Sequence, residues 1–202
     1  MKRFIPCLYL TLLILVSPVW GAQPIDVLQK SIEQAMDILE DPKYQEQGQK
    51  KAQRDKMWEI IRDIFDLREI AQRTLTRNWR KFTADQQKEF TELFGKFLGD
   101  NYLKKIQGGF KGEKIVYTGQ RLDSDSKALI QTKIMRETVE IPVDYRMLKR
   151  DQQWKIYDVI VEGVSLTLNY RSQFNDILRK ESPAELILRI KKKMEEQETE
   201  ET

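Results

Sequence analysis

The sequence contains no histidine, and its single cysteine, Cys7, lies close to the N-terminus. Without imidazole, histidine-based acid/base catalysis, histidine-bearing triads and almost every common zinc site are excluded. A glycine-rich phosphate loop is missing, and the acidic residues form no calcium-type loop, so no metal or cofactor is expected. Ser165 follows Gly163-Val164 but has no second glycine after it, so there is no nucleophile elbow. What remains is 202 residues, 40% hydrophobic, enough for one domain with a filled core.

Lys2 and Arg3 precede an apolar run from Phe4 to Val16, followed by Pro18, Gly21 and Ala22. This pattern predicts a cleavable export signal over residues 1–21, cut between Gly21 and Ala22. The run is short for a membrane anchor, which is the alternative reading, and Cys7 has no lipidation box around it. Export would leave 181 residues, a net charge of +1 in place of +3, and no thiol or disulfide. The expected address is the periplasm of a Gram-negative cell. The sequence pI of 8.8 is therefore no argument for nucleic acid. Arg77, Arg80 and Lys81 near Trp79, and Lys104, Lys105, Lys111 and Lys114, are clusters broken up by acids. Such clusters usually form a solvated face, or one that meets acidic headgroups or an acidic partner.

Two textures follow. Residues 24–109 and 164–196 read as helices, and 113–161 as strands, an order that points to α+β. Ile25, Leu28, Ile32, Ala35, Met36 and Leu39 recur at helical spacing behind Pro24, and Asp41-Pro42 stops them. Residues 42–56 are polar and read as a loop. Met57, Ile60, Ile61, Ile64 and Phe65 make the next stripe, and Asp66…Glu69 and Thr83…Gln86 both have the form of a capping box. The second opens a helix of about 22 residues by its apolar periodicity, ended by Gly108-Gly109, whose Phe90, Phe94 and Phe97 either pack a core or lid an apolar cavity. A last helix starts at Ser182-Pro183. The charged tail from Lys191 is expected to fray, with residues 22–196 as one domain and 197–202 as a flexible tail.

Alternation defines four strands: Lys114 to Tyr117, Ala128 to Met135, Val139 to Met147 and Gln153 to Val161. Pro142 belongs at an edge or bulge. In the fourth strand Trp154, Ile156, Asp158 and Ile160 should face one way, and Tyr157, Val159 and Val161 the other. The expected fold is a strongly curved antiparallel sheet with helices in its concavity, enclosing an apolar cavity or a filled core. Asp144 and Asp158 are the remaining candidates for a general base on such a fold, although a polar-face or ion-paired role is the plainer reading. An exported interaction or chaperone protein is a third possibility.

The stretch WKIYDVIVEGVSLTLNYRSQFNDIL, from Trp154 to Leu178, strongly resembles the MlaC/Ttg2D (toluene-tolerance) family. Phe65 to Tyr102 is similar to the family's first half, and the order of leader, helices, meander and final helices matches as well. The resemblance implies an NTF2-like, cone-shaped arrangement and a non-enzymatic periplasmic phospholipid carrier. Such a carrier would exchange lipid between an outer-membrane lipoprotein–porin complex and an inner-membrane ABC transporter with an MCE-domain subunit, maintaining outer-membrane asymmetry. It would carry phospholipid as cargo, with no cofactor. On this resemblance Tyr157, Val159 and Val161 line the cavity, with Trp154 as anchor. Phe94, Phe97, Tyr102, Ile106, Ile141, Val143, Tyr145 and Val164 are further lining candidates, and Asp158 and Arg171 form a structural pair. The family usually has Gly where Thr76 stands, in a Leu-Gly-x-x-Trp pattern, which implies a differently shaped helix end here.

Overall fold

A computed structural model of the chain describes residues 22–44, 46 and 48–199. The expected export signal and the last three residues lie outside the described part. The helices are α1 (Pro24–Glu40), α2 (Lys50–Ile64), α3 (Leu67–Leu75), α4 (Ala84–Gly109), α5 (Leu166–Leu178) and α6 (Pro183–Thr199). The strands are β1 (Lys114–Ser124), β2 (Lys127–Arg136), β3 (Val139–Arg150), β4 (Gln153–Val161) and β5 (Val164–Ser165). The strands form one antiparallel sheet in sequence order, a simple meander. The two-residue β5 adds to the four strands expected. No helix among the described residues is long and apolar enough to cross a membrane.

Helix ends follow local chemistry. Thr83 and Gln86 complete a reciprocal capping box at the start of α4. At α3, Asp66 accepts from the Glu69 N–H at 2.8 Å. The Glu69 carboxylate does not reciprocate and binds Arg73 and Arg150 instead. Ser182 and Glu185 exchange hydrogen bonds at the start of α6.

Two polar stretches are more ordered than their composition indicates. The loop expected over 42–56 holds a short 3-10 turn (Pro42–Tyr44) and then the first half of α2. The reason is Gln53, which is fully buried and donates to the Ile38 and Leu39 carbonyls, satisfying the end of α1 from the side. Likewise α6 runs on to Thr199 rather than fraying from Lys191. Met194 packs on the helical core, Lys191 reaches Glu89, and Gln197 donates to Asn101 at 2.8 Å.

Three clusters make up the core. Helices α3 to α6 share an aromatic-rich cluster around Phe90, Phe94, Phe174 and Leu186. Leu28 of α1 and Ile64 of α2 cover Ala128, Ile130, Met147, Trp154 and Ile156 of the sheet. Leu39, Met57 and Leu103 join α1, α2 and α4. In that third region a Cβ on Gly99 would come within 2.4 Å of the Trp58 ring, so glycine is what lets the indole lie flat on α4.

The sheet corrects two expectations. Pro142 lies in an interior strand, neither at an edge nor at a bulge. Its carbonyl accepts from the Glu162 N–H at 3.0 Å, so the N–H it lacks would point the same way, into the turn beyond β4. The alternation of β4 also breaks. Arg146 pairs with Asp158 and Met147 with Ile156, leaving Tyr157 as an extra residue. This bulge resets the phase, so Trp154, Ile156 and Val159 all join one core.

Candidate functional site

Register partners share a face, so the ladder can be read across as rows. One row is Ile115–Ile134–Ile141, the next Tyr117–Thr132–Val143–Val161, and the third Ile130–Tyr145–Val159. The third row passes under α1 and α2. The first belongs to none of the core clusters, and its three isoleucines are only half-buried. The inner face of the sheet is thus one apolar floor, packed under α1 and α2 at one end and incompletely covered at the other.

Of the lining residues expected from the sequence, Ile141, Val143, Tyr145, Val159 and Val161 come together on this floor. Tyr102 and Ile106 lie exposed on the C-terminal half of α4, and Val164 at the start of β5 is 61% exposed. The end of α4 is tied to the sheet by Arg136, which donates to the Gly109 carbonyl and binds Glu113 at 2.7 Å. Phe94 and Phe97 are not on the floor. With Phe90 they form the α4 stripe that faces α5, and Phe94 meets Tyr170 and Phe174 edge-on, each at 5.1 Å. The contacts of the phenylalanines here are those of helical-core packing. Tyr157, displaced by the bulge, lies under the Arg73 guanidinium at 4.1 Å.

The expected Asp158–Arg171 pair is not formed. Asp158, 1% exposed, accepts from Arg146 (2.9 Å), Ser165 Oγ (2.6 Å) and the Thr167 N–H (3.0 Å). Arg146 stands directly opposite in the β3–β4 register, whereas Arg171 is a turn into α5 and donates to the Arg73 carbonyl. Asp158 thereby locks the β4–β5 turn to the first turn of α5, a structural task. Ser165 is the N-cap of that helix, accepting from the Leu168 N–H. Asp144 pairs in register with Gln131 and Ile160, on the face opposite the floor.

Five floor residues were missed as site candidates: Ile115, Tyr117, Ile130, Thr132 and Ile134. Alternation already puts Ile115 with Tyr117, and Ile130, Thr132 and Ile134 on one face of their strand. Thr132 is fully buried and donates to the Val143 carbonyl at 2.8 Å. The Tyr117 hydroxyl is buried with no hydrogen-bond partner among the described residues. Burial raises both phenols of the floor: Tyr145 is pushed up to about 12, partly offset by a hydrogen bond with Thr132. Tyr117 is raised further, first by burial and then by Tyr145 and the Glu33 carboxylate. Burial also lifts Tyr170, beside Tyr102 at the α4–α5 seam, to about 12.

Two surface depressions lie elsewhere. One, of about 330 Å³, is lined by charged residues including Arg62, Asp66, Arg150 and Lys155, with Phe65 and Leu67. The other, of about 310 Å³, lies between α1 and α2. Neither touches the floor. Among the described residues no group of three or more acidic or cysteine side chains is placed to hold a metal.

Comparison with known proteins gives a consistent answer. The chain is 24% identical over 159 residues to the toluene tolerance protein ttg2D of Pseudomonas putida, covering 78% of this chain and 74% of that protein. The fold matches a structure of a phospholipid-binding protein from Ralstonia solanacearum, determined in complex with a phospholipid. The TM-score is 0.73 at 20% identity, covering 85% of this chain and 96% of that one. The MlaC protein family matches residues 29–192, which is most of the sequence. The chain belongs to the MlaC protein family.

Proposed function

We propose that this protein is a periplasmic phospholipid carrier that seats acyl chains on the half-covered inner face of its sheet. The observation that carries the reading is the floor itself: the half-buried Ile115–Ile134–Ile141 row, outside every core cluster, continued by the Tyr117–Thr132–Val143–Val161 row. Exposed apolar side chains also stand on α4, β4, β5 and α5: Tyr102, Ile106, Val161, Val164 and Leu168. Each methylene taken from water contributes roughly 0.8 kcal/mol, so a floor of this kind favours long acyl chains over small polar ligands. Register shifts in β1 and between Arg146 and Met147 support a strongly curved, cone-like sheet around an apolar cavity.

Carriage requires no proton transfer, which agrees with a chain without histidine. The enzymatic reading rested on Asp144 or Asp158. Asp158 is held by three donors in a structural joint, and Asp144 lies on the opposite face. The exported leader over residues 1–21 and the family support periplasmic action. The proposed partners are an outer-membrane lipoprotein–porin complex and an inner-membrane MCE-domain ABC transporter, with outer-membrane lipid asymmetry as the outcome.

The test is direct. Protein purified from a Gram-negative periplasm should yield phospholipid on organic extraction and mass spectrometry, and should take lipid up from vesicles. The Val143→Arg variant places a guanidinium in the middle of the floor and should lose most of this lipid while keeping its far-UV circular dichroism. Recovery without lipid and no uptake from vesicles would refute the carrier reading. Wild-type loading by a folded Val143→Arg variant would refute the seat.

A further inference from the structure

The Tyr117 hydroxyl is the one buried hydroxyl among the described residues that has no hydrogen-bond partner. A donor in that state is costly, and native structures retain one where something outside the chain completes it. None of its neighbours among the described residues lies within hydrogen-bond reach of it. Thr132, beside it in the same row, donates to the Val143 carbonyl, and Tyr145 is engaged with Thr132. Gln120, farther along β1, has its carbonyl oxygen occupied by the Ile25 N–H at 2.9 Å.

Position narrows the missing acceptor. Tyr117 stands in the edge strand β1 and packs against the cluster that α1 covers, beside the half-covered row of Ile115, Ile134 and Ile141, so it stands at a rim between covered and open parts of the floor. Near such a rim, the part of a lipid that passes is the junction between buried chains and wet headgroup. Charge narrows it further. A phosphate or a free fatty-acid carboxylate would have to give up its hydration to reach this buried hydroxyl, which is costly. A neutral acceptor remains.

We propose that the Tyr117 hydroxyl donates to an acyl ester carbonyl of the bound lipid, and so reads how the chains are linked to glycerol. The inference rests on the carrier reading and adds a linkage preference to it. A diester lipid completes the orphan donor. A diether lipid of the same chain length and headgroup fills the same volume and leaves the donor unpaired.

The experiment measures uptake from two sets of vesicles, one containing dipalmitoyl phosphatidylglycerol and the other its dihexadecyl ether analogue. Wild-type protein should take up the diester about tenfold more than the diether, as expected for one neutral hydrogen bond. In Tyr117→Phe the two lipids should be taken up within about twofold of each other. The substitution removes one oxygen that has no partner in the chain, so the lipid-free variant should melt at or above the wild-type temperature. Equal uptake of both lipids by the wild type, or a tenfold preference surviving in Tyr117→Phe, would overturn the inference and leave the carrier reading intact. Uptake of neither lipid by the wild type would overturn the carrier reading as well.

Discussion

Thr76 ends α3 with φ +47° and ψ −122°, a conformation that glycine adopts freely and a β-branched residue does not. The side chain is exposed and makes no hydrogen bond, so nothing outside the backbone compensates the strain. The backbone is held there by its N–H, which donates to the Gln72 carbonyl, and by the turn beyond it, where Asn78 donates to Asn175 at 2.8 Å. A non-glycine residue in such a region costs about 1–3 kcal/mol. Thr76→Gly removes that cost, offset by about 0.5–1 kcal/mol of extra chain entropy in the unfolded state. The net expectation is a stabilisation of about 1–2 kcal/mol, or a rise in melting temperature of about 3–6 °C for a domain of this size. Thermal and urea unfolding would measure it, with Thr76→Ala as the control, because alanine keeps the Cβ that causes most of the strain. Thr76→Gly should raise the urea midpoint at an unchanged slope, and Thr76→Ala should stay within about 0.5 kcal/mol of the wild type. A destabilised Thr76→Gly, or one no better than Thr76→Ala, would refute the reasoning. The turn keeps the shape glycine allows, and this chain tolerates the strain.

Two further outcomes follow from buried groups. Asp158→Ala orphans the Ser165 hydroxyl and the Thr167 N–H and should cost about 3 kcal/mol in urea unfolding. Arg146→Met leaves those two donors paired with Asp158 and should cost less, about 1–2 kcal/mol; a reversed order would refute the assignment. Tyr145 and Tyr170 have folded-state values near 12, and Tyr117 is also raised, all above the unfolded value near 10. Their protonated forms therefore favour the fold, so stability should be unaffected by them below about pH 10 and fall as pH rises from there through about 12. Urea midpoints across this range, read with tyrosinate absorbance, test the sign.

The fold was legible where the pattern was local. Period-two alternation placed the first four strands, and the capping residues Asp66, Thr83 and Ser182 marked where helices begin. The pattern failed where a partner distant in sequence decides the outcome. Gln53 looks like loop until the end of α1 needs a donor, and Lys191 to Thr199 looks like a frayed tail until Glu89 and Asn101 are opposite it. The bulge at Tyr157 belongs to the same class. Two strands must be paired before an extra residue can exist, so a single strand's alternation could not reveal that Trp154, Ile156 and Val159 share a core.

The candidate site separates in the same way. Ile141, Val143 and Tyr145 follow from strict alternation and stand together on the floor, whereas Phe94 and Phe97 followed from hydrophobicity alone and belong to the helical core. An apolar stripe says that a surface is hidden from water; it does not say by what. Polar groups are more discriminating, because each needs a specific partner. Asp158 with three donors identifies a finished structural joint. Tyr117, an unsatisfied donor on an otherwise apolar floor, marks the place where the protein's own atoms do not complete the interaction. In a chain that lacks histidine, the buried hydroxyl with nothing to bind is therefore a sharper pointer to cargo than any of the aliphatic side chains around it.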